Sequence, residues 1–85
     1  MSETQKSIFI TGAASGLGRE VARYFANVGW FVGLADVNEK GIDETAALLP
    51  AGQWSRHRLD VTDRAQWKAA VADFAKHTNG HMTVL

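Results

Sequence analysis

Apolar positions change their period several times along the chain, and each change marks a predicted element. Ser7-Ile8-Phe9-Ile10-Thr11 is a continuous apolar run, the pattern of a strand covered on both faces. From about Gly16 to Val28 the spacing turns helical, with Leu17, Val21, Tyr24, Phe25 and Val28 on one face that is expected to be buried. Gly29 is the expected stop. Trp30-Phe31-Val32-Gly33-Leu34-Ala35 reads as a second strand ending at Asp36. Asn38 is placed to cap a second helix running through Leu49, with Ile42, Thr45, Ala46 and Leu49 inward, and Pro50-Ala51-Gly52 closes it. Gln53-Trp54-Ser55-Arg56-His57-Arg58-Leu59 alternates and is polar, as an edge strand is. Asp60-Val61-Thr62-Asp63 then opens a third helix, capped by Thr62 or Asp63, with Trp67, Ala70, Val71, Phe74 and Ala75 as its buried stripe. Asn79-Gly80 should end it, and Met82-Thr83-Val84-Leu85 begins a fourth strand. The order β-α-β-α-β-α-β with short connections predicts an α/β fold with a parallel sheet and right-handed crossovers.

Composition narrows the setting. At 85 residues the chain is one small domain at most, and 46% hydrophobic residues is ordinary for a globular protein. Nine basic and nine acidic residues balance without clustering, which argues against nucleic acid or an anionic membrane as partner. The absence of cysteine excludes disulfides and thiolate metal sites and suits a cytoplasmic location. The polar start Met1–Lys6, followed by an apolar run that glycines interrupt, fits neither a signal peptide nor a membrane span.

The most informative chemistry lies between the first strand and first helix. Gly12, Gly16 and Gly18 form a Gly-x-x-x-Gly-x-Gly turn that ends where the helical pattern begins. Such a turn brings backbone close to a pyrophosphate and aims helix N–H groups at it. Asp36 ends the next strand, 18 residues after Gly18, near the roughly 20-residue offset of an acid that binds ribose. A carboxylate there accepts hydrogen bonds from the adenosine ribose diol and repels a 2′-phosphate. Val37 and Asn38 follow it, with no basic residue to reverse that preference, so NAD is expected over NADP. The bland alternative is a tight strand–helix turn with Asp36 as a solvated strand end.

Thr11-Gly12-x-x-x-Gly16-x-Gly18, together with Asp60-Val61 after the third strand, resembles the short-chain dehydrogenase/reductase family over essentially the whole chain. The resemblance implies the first β-α-β-α-β-α-β part of a Rossmann-type, doubly wound parallel sheet. It implies that the turn, through Gly12, Ser15, Gly16, Leu17 and Gly18, binds the cofactor pyrophosphate, that Asp36 selects NAD, and that Asp60 and Val61 hold the adenine. Members that prefer NADP often carry a basic residue just before the second glycine, where this chain has Ser15. The family's Tyr-x-x-x-Lys pair, Ser and Asn lie downstream of an Asn-Asn-Ala-Gly turn after strand four. Residues 1–85 are therefore expected to be the N-terminal part of a single NAD-binding domain, with no catalytic residue among them. The parent would transfer a hydride between a nicotinamide and a small alcohol or carbonyl substrate, as a homo-oligomer.

Other candidates are weaker. No Gly-Lys-Ser/Thr follows the glycines at P-loop spacing. His77 and His81 are spaced like helical metal ligands, but Asn79-Gly80 intervenes and no third ligand lies nearby, so no metal site is expected. Tyr24 reads as a packing residue, and Trp30, Trp54 and Trp67 as core or sheet-covering ones. Arg56-His57-Arg58 reads as an exposed edge, although the trio could touch a phosphate. Arg19 is either a neighbour of the phosphates or a solvated first-turn residue. Two rival functions share the frame: a nucleotide-binding module without catalysis, and an S-adenosylmethionine-dependent methyltransferase. The latter usually has a tighter Gly-x-Gly turn preceded by an acid, where this chain has Thr11.

Overall fold

The computed structural model describes residues 6–78 and 83–84. Its elements follow the predicted order: β1 (Ser7–Thr11), α1 (Gly16–Asn27), β2 (Phe31–Asp36), α2 (Glu39–Ala46), β3 (Trp54–Arg58), α3 (Arg64–Thr78) and β4 (Thr83–Val84). The strands are parallel and ordered β3-β2-β1-β4, with Ile8 opposite Val32 and Thr83, and Leu34 opposite Arg56. The expected stop at Asn79-Gly80, the outer residues Met82 and Leu85 of the fourth strand, and His81 lie outside the described residues, as does the side chain of His77.

The continuous apolar run of β1 serves two cores. Ile8 and Ile10 join Val32, Leu34, Ala22, Ala26, Ile42 and Ala46 beneath α1 and α2. Phe9, pointing the other way, joins Ala35, Leu59, Ala70 and Phe74 beneath α3. Helices therefore cover both faces, as a doubly wound Rossmann-type sheet requires. Phe9 and Phe74 are fully buried, with ring centroids 5.2 Å apart. Trp30 and Trp54 pack against the first core and Trp67 against the second.

Local sequence sets the helix ends. The Asn38 side chain accepts from the Gly41 N–H at 3.0 Å and caps α2. Asp63, not Thr62, caps α3: its Oδ1 accepts from the Gln66 N–H at 3.1 Å, and the Gln66 side chain returns a bond to its Oδ2. Gly29, at φ +94°, closes α1 with paired bonds from Gly29 N to Ala26 O and from Trp30 N to Phe25 O. The second helix ends at Ala46, three residues earlier than the pattern predicts. Leu48 and Leu49 bond back only three residues, to Thr45 and Ala46, because Pro50 disfavours helical backbone in the residue before it.

Two expectations about exposure are corrected. The buried face of α1 is not the stripe of large apolar residues: Leu17, Tyr24 and Val28 are exposed, at 79%, 62% and 55%. Small residues at four-residue spacing, Gly18, Ala22 and Ala26, set the rotation instead. Gly18 lies so close to the preceding turn that a Cβ there would come within 2.1 Å of the Gly12 carbonyl oxygen. Ala22 and Ala26 then meet the sheet, with Val21 and Phe25 at the margins. His57 is buried rather than exposed at the edge. Its ring packs tilted against Phe9 and edge-on against Phe74, and pairs with Ser55 Oγ through Nε2 (2.8 Å) and Asp73 Oδ2 through Nδ1 (3.5 Å). That satisfies both ring nitrogens in an apolar layer.

Candidate functional site

The polypeptide leaves β1 through a turn whose shape depends on glycine. Gly12 and Gly16 have φ +72° and +59°, the left-handed region that side chains other than glycine's disfavour. An added Cβ at either would meet nothing within 4 Å among the described residues, so the outer side of the turn is open. Gly18 meets the opposite constraint, being closed against Gly12. Ser15 holds the N-cap position of α1 in extended conformation, and its exposed side chain makes no capping hydrogen bond among the described residues. The first turn of α1 contains no acid, so no carboxylate offsets the positive end of the helix dipole. Leu17, the most exposed large apolar residue among the described residues, sits beside this end.

Asp36, at the end of β2, is joined directly to that turn. Its Oδ2 accepts from the Ala14 N–H at 3.2 Å, and its Oδ1 accepts from the Asn38 N–H at 3.1 Å. A carboxylate offers about four acceptor positions, so these two bonds leave capacity for a diol. The Ala13 N–H bonds to Ala35 O at 3.1 Å, carrying the β1–β2 register into the turn. Residues 22 positions apart in sequence thus form one unit at the C-terminal edge of the sheet.

Asp60 and Val61 follow β3 at the same edge. The Leu59 N–H bonds to Asp36 O at 3.0 Å, which brings the loop after β3 alongside the end of β2. Both Asp60 and Val61 are exposed. Asp60 Oδ1 accepts from the Thr62 hydroxyl (2.6 Å) and N–H (2.9 Å), while its own N–H donates to Gln66 Oε1 (3.0 Å). The Thr62 hydroxyl bond, then the Thr62 backbone bond, and then the positive charge of Arg58 hold the Asp60 carboxyl below the usual carboxylate range.

The strand order places these features side by side: the loop after β3, Asp36 on β2, and the glycine turn after β1. The crevice outside the carboxyl ends of such strands, where the order reverses between β1 and β4, is where open α/β sheets bind nucleotides. Donors in the turn, an uncapped helix N-terminus and a carboxylate acceptor are what a pyrophosphate followed by a ribose requires. The residues present therefore fit a dinucleotide.

Arg56 and Arg58 keep the exposed edge read from the sequence, whereas Arg19 departs from both of its readings. Arg56 and Arg58 are turned to α2, where Arg56 pairs with Asp43 (3.0 Å) and Glu39 (3.6 Å) and Arg58 with Glu39 (3.4 Å). Arg19 is neither solvated nor directed to the open side of the turn. Its guanidinium reaches the Ala14 carbonyl, Thr45 Oγ1 (2.9 Å), the Gly41 carbonyl (3.4 Å) and Glu44 Oε1 (3.3 Å). Sequence reasoning did not connect Arg19 with Thr45. A threonine on the inward face of α2, which must find a buried partner, is the signal for it. Among the described residues no helix is long and apolar enough to cross a membrane.

The family model described as short chain dehydrogenase matches residues 6–85. The chain is 40% identical to (-)-isopiperitenone reductase of Mentha piperita, over all of this chain and 29% of that protein. It is 41% identical to meso-2,3-butanediol dehydrogenase of Serratia marcescens over 68% of this chain and 23% of the relative. Among solved structures, a short chain dehydrogenase/reductase from Burkholderia phymatum in complex with NAD superposes with a TM-score of 0.86 at 33% identity, over 99% of this chain and 31% of that one. Levodione reductase superposes at 0.81 and 29% identity, over 89% of this chain and 31% of that one. The chain thus spans less than a third of the length of each of these proteins.

Proposed function

This chain belongs to the short-chain dehydrogenase family, and from that premise we propose that it is the NAD-binding, N-terminal part of one oxidoreductase domain. Gly12, Ser15, Gly16, Leu17 and Gly18 hold the pyrophosphate, Asp36 the adenosine ribose, and Asp60 with Val61 the adenine. The bound nicotinamide supplies a hydride acceptor or donor, and a small-molecule alcohol or ketone is the substrate. The whole protein works as a homo-oligomer, and residues 1–85 bind and orient the cofactor without contributing a catalytic group.

The observation that carries this reading is the bond from the Ala14 N–H to Asp36. It makes the glycine turn and the acid one site instead of two local features. A hydroxyl can donate to the Asp36 carboxylate, whereas a 2′-phosphate there would face like charge. Asp36 and Ser15 together favour NAD over NADP, and the NAD complex of the Burkholderia phymatum relative supports the same choice.

The reading is tested on the full-length protein by incubating it with NAD and a panel of secondary alcohols and following NADH absorbance. Reduction of NAD with at least one alcohol is expected. Binding of S-adenosylmethionine with no response to NAD or NADH would replace the reading with a methyltransferase. Binding of NADH without turnover of any alcohol or ketone would leave a nucleotide-binding module.

A further inference from the structure

We propose that Arg19 is a positioning residue, which shapes the pyrophosphate turn from behind by locking its carbonyls to α2. The proposal rests on the cofactor reading above and extends it to a residue outside the binding set. Arg19 leaves the first turn of α1 and brings Ala14 O, Gly41 O, Thr45 Oγ1 and Glu44 together around one guanidinium. Thr45 passes the connection on, its buried hydroxyl donating to Ala13 O at 2.7 Å. Two successive carbonyls of the turn, those of Ala13 and Ala14, are thereby held toward α2.

Peptide planarity converts this into a statement about donors. In a trans peptide the N–H points opposite to the C=O of the same unit. Fixing Ala13 O and Ala14 O toward α2 therefore directs the Ala14 and Ser15 N–H groups away from it. The Ala14 N–H is the one that reaches Asp36. The Ser15 N–H belongs to the residue that opens α1, at the end where an anion is favoured. Arg19 thus sets the direction of turn amides while its own charge stays on the opposite side, paired with Glu44.

A second, independent feature points the same way. Gly41 of α2 is packed so tightly on the turn that a Cβ there would lie 2.6 Å from Ala14 Cβ and 3.0 Å from Ala14 O. The helix comes close enough for the clamp because this position has no side chain. The Arg19 side chain is 26% exposed, so its bonds are partly shielded from water and worth more than those of a surface arginine. A turn already held in its binding shape does not need to be ordered when the ligand arrives, and that raises affinity.

The test compares wild type with Arg19→Met, Arg19→Lys and Thr45→Val in the full-length protein. NADH affinity is read by fluorescence titration, and folding by circular dichroism and thermal midpoint. Arg19→Met and Arg19→Lys should both weaken NADH binding about tenfold, because lysine keeps the charge but lacks the planar fork. Thr45→Val, nearly isosteric, should weaken it in the same direction, and combining it with Arg19→Met should add little. Full rescue by Arg19→Lys would overturn the proposal in favour of simple charge attraction. Lowered thermal midpoints with unchanged NADH affinity would overturn it in favour of a purely structural role. Failure of wild type to bind NADH would instead remove the cofactor reading on which the proposal stands.

Discussion

The Ala14 N–H donates to Asp36 Oδ2 across 3.2 Å, tying the turn after β1 to the last residue of β2. On the proposed reading one carboxylate thereby has two tasks. It holds the backbone that would surround a pyrophosphate, and it faces the position where the adjoining ribose would lie. In the proposed site, selectivity for the ribose and shape of the phosphate turn are coupled through this bond, so a change at Asp36 should affect both.

Asp36→Ala should weaken NADH binding by about 1.5–3 kcal/mol, as expected for losing hydrogen bonds to a charged acceptor. It should also narrow or remove the preference over NADPH. Asp36→Asn retains an acceptor for Ala14 without the charge, and should lose less affinity for NADH while still relaxing selectivity. Competitive titration of the variants with the two cofactors checks this, and unchanged values for both would take Asp36 out of the site.

Gly18→Ala adds a methyl where only 2.1 Å separates the new Cβ from Gly12 O. The first turn of α1 or the glycine turn must then shift, at a cost of about 1–3 kcal/mol in stability. Cofactor binding should fall further than stability, because the displaced backbone is the proposed binding surface. Urea denaturation and NADH titration on the same sample separate the two effects.

Thr62→Val removes the hydroxyl bond that contributes most to lowering the Asp60 carboxyl and keeps the backbone bond. The pKa of Asp60 should rise toward the ordinary carboxylate value, observable by carbon NMR titration of its side chain. The sign for stability follows from linkage: a depressed folded pKa stabilises above the unfolded value, and that contribution disappears as pH falls through the folded one. In the variant this acid-range loss should shrink. An unmoved Asp60 titration would show that Thr62 does not hold it.

Phe74→Ala should destabilise the fold by about 3–5 kcal/mol, since the ring is fully buried and contacts Phe9, Phe31 and His57 on the α3 side of the sheet. Thermal or denaturant unfolding measures it directly. A loss below about 1 kcal/mol would contradict a core on both faces of the sheet.

Much of this organisation is legible in the sequence because strands and turns speak through strong local signals. The uninterrupted apolar run at Ser7–Thr11 announces a strand buried on both faces, and glycines at 12, 16 and 18 announce the turn. The inward residues of α2, Ile42, Thr45 and Ala46, are buried as their spacing predicts, and so is Leu49 in the turn after the helix. The rotation of α1 was hidden because periodicity weights large residues, whereas close approach to the sheet selects Gly18, Ala22 and Ala26. His57 was masked by its charged neighbours Arg56 and Arg58, which alternate to the other side of β3 and pair with α2. The role proposed for Arg19 depends on tertiary contacts 22 to 26 residues away, which the sequence signals only through the inward-facing Thr45.

On the proposed reading, the turn at Gly12–Gly18 and Asp36 form one site for a dinucleotide with an unmodified adenosine ribose. Parallel fluorescence titrations of the full-length wild-type protein with NADH and NADPH test it most directly. NADH should bind at least about tenfold more tightly, the equivalent of about 1.4 kcal/mol. Equal affinity, tighter binding of NADPH, or no binding of either would contradict the account.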